Sequence, residues 1–168
     1  MKSKISINVV VALLAGVSCL VTLPALGLPV WALFIGWAWY FALGATPDVL
    51  KKIYPSMIPG ALLALLCIFM IDFAAGFLPP MIALIIPVII TVYLLMLSLK
   101  IPSMSTSLVA FNSYSCVFAV FYGAAYRSTG SFGTDVLMAM IFSLIATGLG
   151  PLFGYFSIFF TFPEKEKS

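Results

Sequence analysis

The chain has 168 residues, 64% of them hydrophobic and 8% charged, with 8 Lys+Arg against 5 Asp+Glu, no His and a mean hydropathy of +1.23. A soluble domain carries roughly 25% charged residues, so the composition excludes one and points to an all-α integral membrane protein with no soluble domain attached. Without His, with few carboxylates and with no glycine-rich phosphate loop, hydrolytic, metal-dependent and nucleotide-binding chemistry lack their usual residues, and no enzyme activity, cofactor, metal or nucleic-acid partner is expected.

At about 20 apolar residues per crossing, the breaks where Pro, Gly and charge coincide divide the chain into six predicted helices. The first covers residues 5–23, behind a short basic stretch. It is expected to be a retained transmembrane helix rather than a secretory signal: the run is long enough to span, and Gly16-Val17-Ser18 before Cys19 lacks the aliphatic residue of a lipoprotein signal. The loop Pro24-Ala-Leu-Gly-Leu-Pro29 leads to a second helix over residues 30–45, which holds Trp31, Trp37 and Trp39. A polar segment, residues 46–55 with Lys51-Lys52, precedes a third helix over residues 56–77, whose Pro59-Gly60 falls near the first turn, where a missing amide proton costs little.

Pro79-Pro80 opens the fourth helix, to residue 99, with a kink expected at Pro87. The segment Lys100-Ile-Pro102 separates it from a fifth, residues 103–126. After the hydrophilic loop 127–133, Thr134-Asp135 reads as a helix start, and the last run reaches Pro163, with a kink or break expected at Gly148-Leu-Gly150-Pro151. Cys19, Cys67 and Cys116 are widely spaced within apolar runs and read as small packing residues.

Charge orients the six crossings. With both termini inside, Lys2, Lys4, Lys51, Lys52, Lys100, Lys165 and Lys167 are cytoplasmic and Arg127 alone is outside, the bias expected of a multi-pass protein of the bacterial inner membrane.

The sequence also carries a repeat. Phe34, Trp37 and Phe41 in the second helix and Phe111, Tyr114 and Phe118 in the fifth stand at i, i+3 and i+7, 77 residues apart (111 − 34). The same offset overlays the first helix on the fourth and the third on the sixth, and with one residue of slippage Leu23-Pro24 matches Ile101-Pro102. A single transmembrane domain over residues 1–168 is therefore expected, with repeat units over residues 5–77 and 82–162. Each unit has an odd number of crossings, which makes this a 3+3 inverted-topology repeat of the kind that builds transporter and channel sites at its interface.

Candidate residues follow from depth and polarity. The two aromatic stripes either line a narrow path about a pseudo-two-fold axis or serve helix packing and subunit contact. Trp31 belongs to an outer interfacial belt, and Trp39 and Tyr40 are expected to face lipid. The fifth helix is the most polar, and there Asn112, which cannot easily bond to its own preceding turn, is either a solute contact or an interhelical hydrogen-bond partner; Ser115 lies beside it. Asp72, the carboxylate inside the third helix, is either a proton site or a partner of Arg127. Lys51-Lys52 touch anionic lipid or attract an anionic solute.

The run Trp31-Ala-Leu-Phe-Ile-Gly-Trp-Ala-Trp-Tyr-Phe-Ala-Leu-Gly44, then Lys51-Lys52 and Ile58-Pro-Gly-Ala-Leu-Leu-Ala-Leu65, resembles the YcdZ-like family of small bacterial inner-membrane proteins of unknown function, over nearly the whole chain. More loosely, a basic turn before a Gly-Ala-rich helix is similar to the membrane half of the fusaric-acid-resistance and aromatic-acid exporter group, which implies movement of organic anions. The expected function is a small inner-membrane transporter or channel for a small solute, an organic anion among the options, or else a non-transporting structural or accessory subunit. Six short helices enclose little volume, so a homo-oligomer in the lipid bilayer is expected.

Overall fold

The computed structural model describes residues 6–161; Lys2, Lys4, Lys165 and Lys167 of the charge count lie outside the described residues. Six α-helices follow in chain order: α1 Ile7–Ser18, α2 Val30–Ala42, α3 Leu50–Ala75, α4 Pro80–Ser98, α5 Ser107–Tyr122 and α6 Phe132–Phe159. Single 3₁₀ turns extend or join them at Cys19–Thr22, Pro47–Val49 and Pro102–Met104.

Three of these segments, Pro47–Ala75, Pro80–Ser98 and Phe132–Phe159, are long and apolar enough to cross a membrane, whereas Ile7–Thr22, Val30–Ala42 and Ser107–Tyr122 are apolar but shorter. Large apolar side chains also cover the outside, among them Met81, Ile85 and Ile89 of α4 and Leu13 and Val17 of α1. Water tolerates no such continuous apolar surface. The fold is that of an all-α membrane protein.

Several boundaries differ from the sequence expectation. α5 covers Ser107–Tyr122 rather than residues 103–126. α3 begins at Leu50 rather than near residue 56, so Lys51 and Lys52 are helical and Pro55 and Pro59 sit inside the helix. Pro47 starts the turn and Asp48 pairs with Lys51 at 2.9 Å, a combination that favours a helix start there. α6 runs unbroken through Gly148, Gly150 and Pro151 and starts at Phe132. Proline is tolerated here because a neighbouring helix meets the carbonyl it frees.

The helices pack in two principal seams, α2 along α6 and α3 along α5; α1 lies on α6 and α4 on α3. Both seams are parallel and both are set by glycine. On α6, Pro151 has no N–H to give to the carbonyl of Thr147, and that carbonyl meets Gly36 of α2, where a Cβ would overlap it. Gly150 similarly abuts the Leu33 carbonyl and the Trp37 amide, and a Cβ on Gly154 would lie 2.7 Å from Tyr40. On the other seam, Gly60 of α3 abuts the Ala110 carbonyl and would place a Cβ 3.0 Å from the Tyr114 amide. Nearby, the Ser113 hydroxyl donates to the Met57 carbonyl at 2.9 Å.

Such backbone-to-backbone contact is how helices associate when the surroundings are as apolar as their side chains. Gly150→Ala and Gly36→Ala each put a methyl group into a facing backbone and are expected to cost on the order of 2 to 3 kcal/mol, read from detergent unfolding curves. Gly16 has nothing within 4 Å of an added Cβ, and Gly16→Ala should change stability by less than about 0.5 kcal/mol. Equal effects at the three positions would contradict glycine-set spacing.

Candidate functional site

Where α2 and α5 come together they leave a cleft of about 220 Å³, lined by Ile35, Ala38, Trp39 and Ala42 from α2 and by Leu108 and Asn112 from α5. Asn112 donates its Nδ2 to the Leu108 carbonyl at 2.7 Å. This corrects the expectation that it cannot bond to its own preceding turn: the amide reaches back over one turn and leaves its Oδ1 without a protein partner among the described residues. Trp39 is only 2% exposed, and its indole N–H has no hydrogen-bond partner. Trp39 and Tyr40 are thus buried, against the expectation that they face lipid, because α2 turns them into a core cluster with Val49 of the turn Pro47–Val49, Ile53 and Met57 of α3 and Val109 of α5.

The aromatic stripes do not line this cleft. In α2, Phe34 and Phe41 point outward, at 39% and 37% exposure, while Trp37 is buried at 5.6 Å from the Phe153 ring. In α5, Phe111 and Ser115 are exposed, Phe118 is half-buried and Tyr114 is buried. A spacing of i, i+3, i+7 marks the border of a helix's buried face as readily as its centre, and here it marks the border.

The buried member of the second stripe takes part in a hydrogen-bond chain. Thr91 of α4 donates its one hydroxyl proton to the Pro87 carbonyl at 2.8 Å, so the Tyr114 hydroxyl, 2.9 Å from Thr91 Oγ1, donates to it. Trp37 has an unpartnered indole N–H instead, and the hydroxyl of Ser143 in α6 is likewise without a partner among the described residues.

Asp72 and Arg127 are not paired. Asp72 is exposed, and among the described residues the one ion pair is Lys51–Asp48. Arg127 instead donates its Nη2 to the carbonyls of Pro24 and Ala25, both at 2.6 Å, and ties the loop after α5 to the loop between α1 and α2. Close by, the Asp135 carboxylate accepts from Ser128 Oγ at 2.6 Å and from the Thr129 amide and hydroxyl at 2.6 and 2.8 Å. This loop is closed by its own side chains.

A second cleft, of about 410 Å³, lies between α3 and α6, lined by Tyr54, Met57, Ile58, Leu144, Ile145, Gly148, Leu149 and Leu152. Tyr54 crosses it to donate to the Gly148 carbonyl at 3.1 Å. The sequence reading missed it, because it took residues 46–55 for a loop and Gly148 for a break. Neither cleft is lined by a charged residue.

The fold and its uncharged clefts define an apolar helical membrane protein whose buried polar groups lie along the helix seams. Residues 8–161 match the family described as Protein of unknown function (DUF1097), and the chain belongs to that family. Comparison with curated proteins and with solved structures gives no match in either.

Tyr114→Phe removes a buried interhelical hydrogen bond and is expected to cost about 1 kcal/mol. Asp72→Asn, on an exposed side chain, should stay within about 0.5 kcal/mol of the parent. Thermal unfolding of the two variants side by side checks this ranking, and a larger loss for Asp72→Asn would show a partner for Asp72 that this geometry lacks.

Proposed function

We propose that the chain is a small transporter or channel of the bacterial inner membrane, built from two inverted three-helix units that form six crossings, and that it moves a small solute along the interface between the units. The observation that carries this reading is the burial register. Val10 and Ser18 of α1 are buried, and so, 77 residues on (87 − 10), are Pro87 and Leu95 of α4. In α2 the buried residues are Ala32, Leu33, Gly36, Trp37, Trp39 and Tyr40; 77 residues on, Val109, Ala110, Ser113, Tyr114, Cys116 and Val117 are buried in α5.

For α3 and α6 the matching offset is 90 (143 − 53) rather than the expected 77. Ile53, Ser56, Met57, Gly60, Ala61, Ala64 and Cys67 answer to Ser143, Ala146, Thr147, Gly150, Pro151, Gly154 and Ser157. The extra residues fall in the end of α5, the loop after it and the early start of α6.

The principal seams exchange under the same operation, although the α5–α6 contact has only a slight counterpart between α2 and α3. α2 on α6 becomes α5 on α3, and α1 on α6 becomes α4 on α3. Gly150 against Leu33 and Trp37 becomes Gly60 against Ala110 and Tyr114, and Gly36 at the Thr147 carbonyl becomes Ser113 at the Met57 carbonyl. The parallel seams suit alternating crossings, since the paired helices are an even number of steps apart in the chain.

Transport is favoured by what the operation leaves at its axis. Ile35 and Asn112 are equivalent and both line the first cleft; Tyr54 and Leu144, and Ile58 and Gly148, are equivalent and line the second. At 1.5 Å per residue, α2 and α5 with 13 and 16 residues span about 20 and 24 Å, short of the roughly 30 Å of hydrocarbon. Short helices in corresponding positions of two inverted halves are a feature of transporter binding sites. The resemblance to the YcdZ-like family agrees with the location. The competing reading, an accessory or self-associating subunit, is favoured by the outward Phe34, Phe41 and Phe111.

Two measurements test this. In a background with Cys19, Cys67 and Cys116 replaced, a cysteine at position 130 should react with an impermeant reagent from outside and one at position 52 only from inside; reaction of position 130 from inside would overturn the topology. The purified chain in proteoliposomes should carry at least one small solute faster than empty vesicles. Flux at the empty-vesicle rate across neutral and anionic panels would leave the accessory reading.

A further inference from the structure

We propose that the α2–α5 cleft receives a small uncharged solute bearing a hydroxyl or carboxamide group. This rests on the transporter or channel reading above and supplies its substrate class. The cleft lies at the axis of that arrangement, and its two equivalent lips differ in chemistry: α2 presents Ile35 where α5 presents Asn112. One face therefore grips apolar surface and the other offers a hydrogen bond.

The polar groups specify the ligand further. Because the Nδ2 of Asn112 is held by the Leu108 carbonyl at 2.7 Å, the amide is oriented and its Oδ1 is the atom left to accept. Trp39 also forms part of the cleft wall, but its indole N–H is buried out of a ligand's reach. The one free acceptor suits a hydroxyl or a carboxamide, each of which has a proton to donate. A hydrocarbon cannot satisfy it.

Charge is excluded by the lining. Asp48, Lys51, Lys52, Asp72, Lys100, Arg127 and Asp135 are the charged side chains among the described residues, and none of them lines the cleft. An ionised carboxylate drawn into it would lose its water without gaining a counter-charge. Lys51, the nearest argument for an anion in the sequence, is bonded to Asp48. Size narrows the class again, since about 220 Å³ is below the roughly 300 to 1,000 Å³ of drug-sized sites.

The test uses the purified full chain in proteoliposomes, with glycerol and urea as neutral probes followed by stopped-flow light scattering, and with radiolabelled benzoate and lactate as anionic ones. Glycerol or urea should enter faster than into empty vesicles. Asn112→Leu should lower that rate about tenfold, as loss of one buried hydrogen bond implies. Lys51→Gln should leave it unchanged. Each variant is first shown to be monodisperse with the parent's melting curve. Neutral flux insensitive to Asn112→Leu, or flux of benzoate or lactate without glycerol or urea, would overturn this inference while leaving transport standing. Absence of flux for all four probes would overturn the transport reading and this inference with it.

Discussion

Close backbone contact between parallel helices is the constraint on which the rest of the molecule depends. Between apolar helices in apolar surroundings, burying one more leucine gains little, so association relies on close packing and on polar groups that find each other. Gly36, Gly150 and Gly154 let α2 sit against α6, and Gly60 lets α3 sit against α5. Only at that separation do the large side chains flanking the seams, Trp37 against Phe153 and Tyr114 against Thr91, meet their partners. Pro151 takes part in the same economy, because the carbonyl it frees is the one Gly36 approaches.

Polar side chains are distributed by the same logic. Most hydroxyls are satisfied within their own helix: Ser18 on Ala15, Thr91 on Pro87, Ser98 on Leu95, Thr147 on Ser143 and Ser157 on Gly154. They lower the mean hydropathy of a helix without marking a site. The informative groups are those left over, which are the indoles of Trp37 and Trp39, the hydroxyl of Ser143 and the Oδ1 of Asn112. Charge is kept to helix ends and loops, where Arg127 and Asp135 organise the segment between α5 and α6 by bonding to backbone and hydroxyl groups rather than to each other.

The agreement between α1–α3 and α4–α6 is close in burial and loose in residue type. Trp37 answers to Tyr114, Gly36 to Ser113 and Ile35 to Asn112. Two units that share a packing scheme and differ in chemistry keep a common frame while giving the cleft at their junction one apolar and one polar side. Of the close glycine contacts, Gly150 and Gly60 answer to each other, whereas Gly36 answers to Ser113 and Gly154 to Ala64.

Composition alone determined that the chain is an apolar helical protein of membrane type, since a mean hydropathy of +1.23 leaves too little polar surface for water. Periodic breaks at Pro and Gly placed six helices to within a few residues in most cases, because those residues act through the local backbone. Asn112 was legible as a polar residue on an apolar helix. What tertiary structure decided was direction and partnership. Whether Trp39 faces lipid or core, whether Arg127 seeks Asp72 or the Pro24 and Ala25 carbonyls, and whether Pro151 ends a helix or merely lends a carbonyl to its neighbour all depend on which helix lies alongside. The 90-residue register of α3 and α6 was hidden for a similar reason: buried positions there are shared as burial rather than as residue identity, and burial exists only once the helices are packed.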